Sequence, residues 1–418
     1  MRNHRPLAVA AALAAAALSA CGGSSPVSGP AKISVRLVDS STASSAAFGD
    51  PNARFDEVNI DIRSVEIWSE SEGWVTLATM DCDPDPEGCI ENLLGLTWDG
   101  TKGVYATLVD GHTLGEGRYG QMRLLLGPNN TVKLKGATGL EPLKVPSGEQ
   151  SGVKMTVNFE VQPGTTKDVY IDFSAHRSVF VHGAGKSGKY ILRPTVRAYD
   201  KLETGTIQGT LMAKNAPDQA PVALQGVTVT AQTLSDTGIP TVVATTLTNG
   251  EGNYVFHLIE ADVSHYVVAQ PYVPDTAPES TTAYTVYPAK TSGAITVTPA
   301  EPIRTWDATF EPVDGGAIRA TVGFETTPPL DDTPLSVQVR KGFDVGGGQL
   351  VTLTVREASP LYVAEDPPVY PVVEFANLPV GSFDVVAGRP SGSGFAYGSA
   401  ESAIVEKGAA ASVSPKAP

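Results

Sequence analysis

Alternation of apolar and polar residues with a period of two runs from residue 32 to the end of the chain. Ile33, Val35 and Leu37 alternate with Lys32, Ser34 and Arg36. Met122, Leu124 and Leu126 repeat the pattern, as do Val153, Met155, Val157 and Phe159, and then Val169, Ile171 and Phe173. Successive side chains of a strand point to opposite faces, so each segment offers one face to a core and one to water, as antiparallel sheets do. Val58, Ile60 and Ile62 hold one parity whereas Val65 and Ile67 hold the other, which predicts a β-bulge across Arg63-Ser64. Turn-forming clusters such as Gly127-Pro128-Asn129-Asn130 and Pro146-Ser147-Gly148 separate the strands at the intervals of a sandwich or barrel. No stretch after residue 21 sustains a helical period for more than about two turns. The fold class expected is all-β, built as tandem antiparallel β-sandwich modules.

Composition agrees with short strands and many turns. The 418 residues include 42 Gly and 32 Pro, an excess of turn formers over the usual mixture. Length alone suggests about three domains of ~100–200 residues. The 45 acidic residues outnumber the 30 basic ones, for a net charge of −15. That balance argues against a nucleic-acid partner, whose phosphates are met by clustered Lys and Arg.

The N-terminus reads as an address. Arg2, His4 and Arg5 precede an apolar stretch over residues 7–20, which has the length of a signal h-region and is too short to span a bilayer. Leu18-Ser19-Ala20-Cys21 resembles a bacterial lipobox. The resemblance implies cleavage before Cys21, a diacylglyceryl thioether on its sulfur and an acylated amine. Several acyl chains are what stable anchoring takes. Residues 1–20 are thus expected to be a lipoprotein signal peptide, and residues 21–30 the lipidated Cys with a flexible tether reaching roughly 30 Å at ~3.3 Å per residue. Gly22 in place of an Asp resembles outer-membrane lipoproteins, so the expected location is the cell envelope, in the outer membrane, facing either the periplasm or the surface.

Cys82 and Cys89 remain as an even pair in an exported chain, the arithmetic of a disulfide. The segment between them also offers Asp81, Asp83, Asp85 and Glu87 as oxygen ligands for calcium. Two Pro and the absence of a Gly after Asp85 depart from the EF-hand loop.

Self-similarity sets the boundaries. A polar joint at residues 199–205 is followed by Gly205-Thr-Ile-Gln-Gly-Thr-Leu211, and a similar opening, Gly316-Ala-Ile-Arg-Ala-Thr-Val322, comes roughly 110 residues later. Domains are expected at 31–200, 204–312 and 313–418. Ile33–Asp39, Phe55–Trp68, Gly117–Leu126, Leu143–Ser151, Val169–Phe173 and Tyr190–Val196 resemble, in order, the bacterial lipoprotein family named domain of unknown function 4382, which carries no established chemistry. Val227–Ala231 and Thr246–Phe256 resemble the carboxypeptidase regulatory-like, transthyretin-like sandwich, often catalogued with carbohydrate-binding-like folds. That resemblance implies a hairpin turn at Asn249 and Gly252, with Tyr254 and Phe256 in the core, and it carries no peptidase activity. Residues 316–414 keep a Pro-Gly turn at Leu378-Pro379-Val380-Gly381 but lack the Thr-x-Thr-Asn opening, a weaker match.

Catalytic motifs do not assemble. Gly183-Ala-Gly-Lys-Ser-Gly188 satisfies a Gly-Lys-Ser signature, yet Phe180 stands where a phosphate loop needs Gly and a strand follows instead of a helix. A hairpin between Val179–Val181 and Tyr190–Leu192 is expected. His112, His176, His182, His257 and His265 read as surface residues; His176 and His182 share a face with no third ligand nearby. No catalytic residue, resident metal or cofactor is expected. Tyr266, Tyr272, Tyr284 and Tyr287 could form an aromatic platform for a glycan, or simply pack in core and joint. The function expected is a lipid-anchored envelope lipoprotein with a structural or ligand-binding role in adhesion or scaffolding. Its partners are the membrane and an envelope glycan or protein. The alternatives are carbohydrate binding by residues 205–312 and, more remotely, a hydrolase accessory protein.

Overall fold

The computed structural model describes residues 30–39, 55–82, 89–96, 105–145, 151–173, 175–182, 189–192, 194, 196–274, 284–330, 333–364, 367–391 and 394–418. Among these residues the regular structure is strand, apart from a single α turn at Ala175–Ser178 and short 3-10 turns. No helix there is long and apolar enough to cross a membrane.

The first unit packs two sheets on one apolar cluster that gathers Ile33, Val35, Leu37, Ile60, Ile62, Val65, Ile67, Met122, Leu124, Val169, Ile171 and Phe173, all at most 1% exposed. The smaller sheet runs in the order Val196–Asp200, Thr166–Phe173, Ala31–Val38, Ala106–Leu114. Its two central strands are parallel, with Val35 opposite Val169, so the expectation of purely antiparallel sheets is corrected. The opening strand lies inside the sheet, and the returning chain closes beside it in the same direction. The larger sheet is organised by the long strand Phe55–Ser69, whose pairing with Gly117–Leu126 shifts register between Ile62 and Ser64. That shift is the bulge that the change of parity at Arg63 requires, and it returns Val65 and Ile67 to the core face.

The second unit has its own core around Ile207, Leu211, Val229, Phe256, Val267, Val297 and Phe310. One sheet centres on Thr204–Ala213, with Asn253–Glu260 antiparallel on one side and Ile303–Thr305 and Ala308–Phe310 parallel on the other. The facing sheet runs Pro240–Leu247, Thr228–Leu234, Ser264–Ala269, Lys290–Thr296. The third unit repeats this plan although its sequence resemblance is weaker. Gly315–Thr321 sits between antiparallel Val372–Pro379 and parallel Ala410–Val413, and the facing sheet follows the order Leu350–Ala358, Ser336–Asp344, Gly381–Ser391, with Glu401–Val405 paired to the last.

Two repeated details explain the similar openings. A Cβ on Gly205 would sit 2.6 Å from the Pro302 carbonyl oxygen, and one on Gly316 the same distance from that of Ala409. Glycine lets the closing strand come near enough for those carbonyls to accept from the N–H groups of Thr206 (2.7 Å) and Ala317 (2.9 Å). Opposite each opening strand the ladder also bulges, between Phe256 and Ile259 and between Phe375 and Leu378. The extra residue is left-handed in both, Leu258 at φ 55° and Asn377 at φ 57°.

The turn at Asn249–Gly252 forms as expected, with the Gly252 N–H donating to the Asn249 carbonyl and the Asn249 side chain accepting from Glu251 and Asn253 N–H groups. Its expected role as a hairpin is corrected, because the strands it joins, Pro240–Leu247 and Asn253–Glu260, lie in different sheets. It is an arch over the edge of the sandwich. Tyr254 and Phe256 fill the core as expected, at 3% and 1% exposure. Val179–His182 and Lys189–Leu192 pair antiparallel, with Val179 opposite Leu192.

Candidate functional site

A cleft of about 350 Å³ opens where the first and second units meet. The first unit contributes Asp172 from Thr166–Phe173, and Arg197 and Tyr199 from the edge strand Val196–Asp200. The second contributes the gap between its two sheets, where Pro240–Leu247 and Asn253–Glu260 are unbonded edges; His257, Glu260 and His265 line it. An open sandwich edge leaves room between sheets, and the edge strand of the first unit covers part of it.

Leu258 fixes this meeting. Strand alternation would place it on the core face with Tyr254 and Phe256, but the bulge gives that place to Ile259 and turns Leu258 toward Val38 and Tyr170 of the first unit, where Tyr199 packs against the same cluster. A left-handed leucine costs about 1 kcal/mol, which burial of its side chain against the neighbouring unit offsets at ~1.5–3 kcal/mol. The Ala261 N–H donates to the Glu203 carbonyl at 2.8 Å, tying the connecting turn Lys201–Glu203 to the same end.

The electrostatics of the cleft are set by burial. His265 is 2% exposed, and its Nδ1 lies 2.9 Å from the Val263 carbonyl oxygen. Desolvation pushes its pKa down to about 4; the Val263 contact opposes this and the charge of Arg197 adds to it. His265 is therefore neutral at pH 7. Arg197 stands opposite Asp172 in the strand pairing and donates from Nη1 to the Tyr199 hydroxyl at 3.4 Å. Burial pushes the Tyr199 phenol up. The expectation of surface histidines is corrected for His257, at 8% exposure, and His265, because both lie where one unit covers another. Polar residues on a strand do not reveal such cover.

The other expected site residues fall elsewhere. Tyr287 is 1% exposed, donates to Asn215 Oδ1 at 2.9 Å and meets Phe310 edge-on. Tyr266 is buried against the third unit. Tyr272 and Tyr284 do sit together, ring centroids 5.6 Å apart, but Arg356 covers the Tyr272 ring at 4.3 Å. The four tyrosines therefore do not make one platform. Cys82 and Cys89 are joined by a disulfide with Cα atoms 5.6 Å apart. Asp83, Asp85 and Glu87 of the calcium reading lie outside the described residues, as do Cys21, the signal peptide and the side chains of His176 and His182. Among the described residues, no group of three or more His, Cys, Asp or Glu is placed to hold a metal ion.

One ion pair with a buried carboxylate has no signal in the sequence. Asp61 has a fully buried side chain on a strand whose alternation assigns it to the wet face, and Arg63 Nε lies 2.6 Å from its Oδ1. The Asn129 N–H donates to Asp61 Oδ2 at 3.1 Å. The loop after Gly117–Leu126 folds over that face and shuts it off from water.

Known proteins resemble the chain only in part. No curated protein matches the sequence. Among solved structures, the Bacillus anthracis TIE protein is 11% identical over 92% of this chain and 50% of its own, with a TM-score of 0.18. A leucine-rich repeat protein from Bacteroides thetaiotaomicron is 16% identical over 52% of this chain and 26% of its own, at 0.23. Shaft pilin SpaA from Lactobacillus rhamnosus GG is 13% identical over 51% of this chain and 98% of its own, at 0.18. The chain thus spans half the length of the first and about a quarter of the second. Within the first unit, residues 30–194 match the model described as Domain of unknown function (DUF4382).

Proposed function

We propose that this chain is a lipid-anchored protein of the bacterial cell envelope. In this reading a tether after Cys21 leads to a firmly joined series of β modules that serves adhesion or scaffolding, or holds a ligand, without catalysis. The second and third units are read as carboxypeptidase regulatory-like sandwiches, supported by the shared strand plan and the Asn249–Gly252 turn. The observation that carries the reading is the packing between the second and third units. Tyr266 and Val268 of one cluster with Phe343, Val351 and Leu353 of the other. Gln232, with no exposed surface, donates from Nε2 to the Thr354 carbonyl at 2.6 Å and accepts from the Thr354 N–H at 2.9 Å. A side-chain amide thereby makes the two bonds of a strand pair. Units joined this way hold a fixed geometry, which suits a spacer or presenting body.

The anchor is tested by Cys21→Ala and by globomycin, which blocks the lipoprotein signal peptidase. The expected result is an unprocessed precursor with globomycin, and loss of the protein from the membrane fraction for Cys21→Ala. Unchanged processing and fractionation in both would overturn it.

A further inference from the structure

We propose that the cleft between the first and second units binds a small molecule bearing a protonated primary amine, an inference that rests on the ligand-binding part of the reading above. The lining sets two carboxylates against one guanidinium. Asp172, 8% exposed, and Glu260 at the exposed rim bring two carboxylates, each able to accept several hydrogen bonds at once. His265 adds an acceptor of fixed sense. The Val263 carbonyl can only accept, so Nδ1 of the neutral ring carries the proton and Nε2 keeps its lone pair.

Among the described residues of the lining, Arg197 is the one Arg or Lys. It faces Asp172 across the strand pair and already donates to Tyr199, which leaves the Glu260 carboxylate as the surplus formal charge. An ammonium group has three N–H donors and no acceptor, the complement of this wall. The Tyr199 ring in the same wall favours a cation, and the net charge of −15 draws cations toward the surface. A neutral polyol could bond to the hydroxyls of Thr233, Ser235 and Thr241 but would leave that surplus charge unpaired, and an anion would meet two carboxylates. The volume of about 350 Å³ suits a ligand of sugar or short-chain size.

The test titrates the full chain at pH 7 with glucosamine, with putrescine, and with glucose, the ring of the first without its amine. Binding of glucosamine or putrescine, with none of glucose, is expected; which of the two binds identifies a hexosamine or an aliphatic amine as the source. Glu260→Gln, at the exposed rim, should weaken that binding about tenfold, as loss of one charged hydrogen bond does. Asp172→Asn should weaken it at least as much, and Glu374→Gln on the third unit should leave it unchanged. Because Asp172 is buried, Glu260→Gln decides if Asp172→Asn does not fold. Equal binding of glucose and glucosamine, no amine binding up to about 20 mM, or binding unmoved by Glu260→Gln each overturns the site. None of these outcomes bears on the anchor at Cys21.

Discussion

The two junctions of this chain solve the same problem differently. Between the second and third units the contact is closed, an apolar cluster from both partners with Gln232 bonded to the Thr354 backbone. Between the first and second, Val38, Tyr170 and Leu258, with Tyr199 beside them, form a small apolar contact among the described residues, and a polar cleft of about 350 Å³ opens alongside. Even the repeated bulge is used twice. Leu258 inserts a side chain into the first unit, whereas Asn377, its counterpart, offers a carbonyl that accepts from Gln270 Nε2 at 3.3 Å. A closed junction sets geometry. An open one leaves polar groups lining a cleft.

The comparison can be broken most severely at the closed junction. Leu353 has no exposed surface, so Leu353→Asp should destabilise the second and third units by about 3–5 kcal/mol, the cost of lost burial plus an unpaired carboxylate. Calorimetry should show their unfolding moved down in temperature, with the transition of the first unit little changed. An unaltered thermogram would mean that the cluster is not holding the units together.

Acid should act on the open junction instead. His265 takes up its proton at pH 6.5 when unfolded and only near pH 4 when folded, so the unfolded state binds more protons within that window. Its contribution is complete above pH 6.5 and is lost as pH falls toward 4, on the order of 2 kcal/mol by pH 4.5. Urea midpoints at pH 7 and 4.5 measure this, and His265→Phe should flatten the difference. A wild-type midpoint as steady as that of the variant would contradict a buried neutral imidazole.

The smallest effect is expected at the bulge. Leu258→Asn replaces a strained residue by one that tolerates the left-handed region, recovering about 1 kcal/mol, while losing ~1.5–3 kcal/mol of apolar burial. The net should be a destabilisation of about 1 kcal/mol, measured by denaturant midpoint. Stabilisation would show that Leu258 contributes strain without useful packing.

Local features of this architecture were legible in the sequence, whereas features that depend on a neighbouring unit were not. The parity change at Arg63, the Asn249–Gly252 turn and the paired openings at Gly205 and Gly316 are local, because turn chemistry and alternation act over a few residues. The pairing of Cys82 with Cys89 followed from counting. Burial of His265, Tyr266, Gln232 and Asp61 comes from a surface contributed by residues distant in the chain, and each sits where alternation or polarity points to water. The arch at Asn249–Gly252 shows the same limit, since a tight turn does not reveal whether its strands share a sheet. For the cleft, only His257 and His265 stood out in sequence, as surface residues, and its four carboxylates and imidazoles are scattered over three strands.

Amide hydrogen exchange resolved along the chain tests the contrast between the junctions most directly. The Thr354 N–H, bonded to the Gln232 side chain, should exchange as slowly as the core amides of Val229 and Val339, while the amides of residues 257–260 beside the cleft exchange sooner. Rapid exchange at Thr354, together with core-like protection at 257–260, would contradict the assignment of a closed junction to one end of the second unit and an open one to the other.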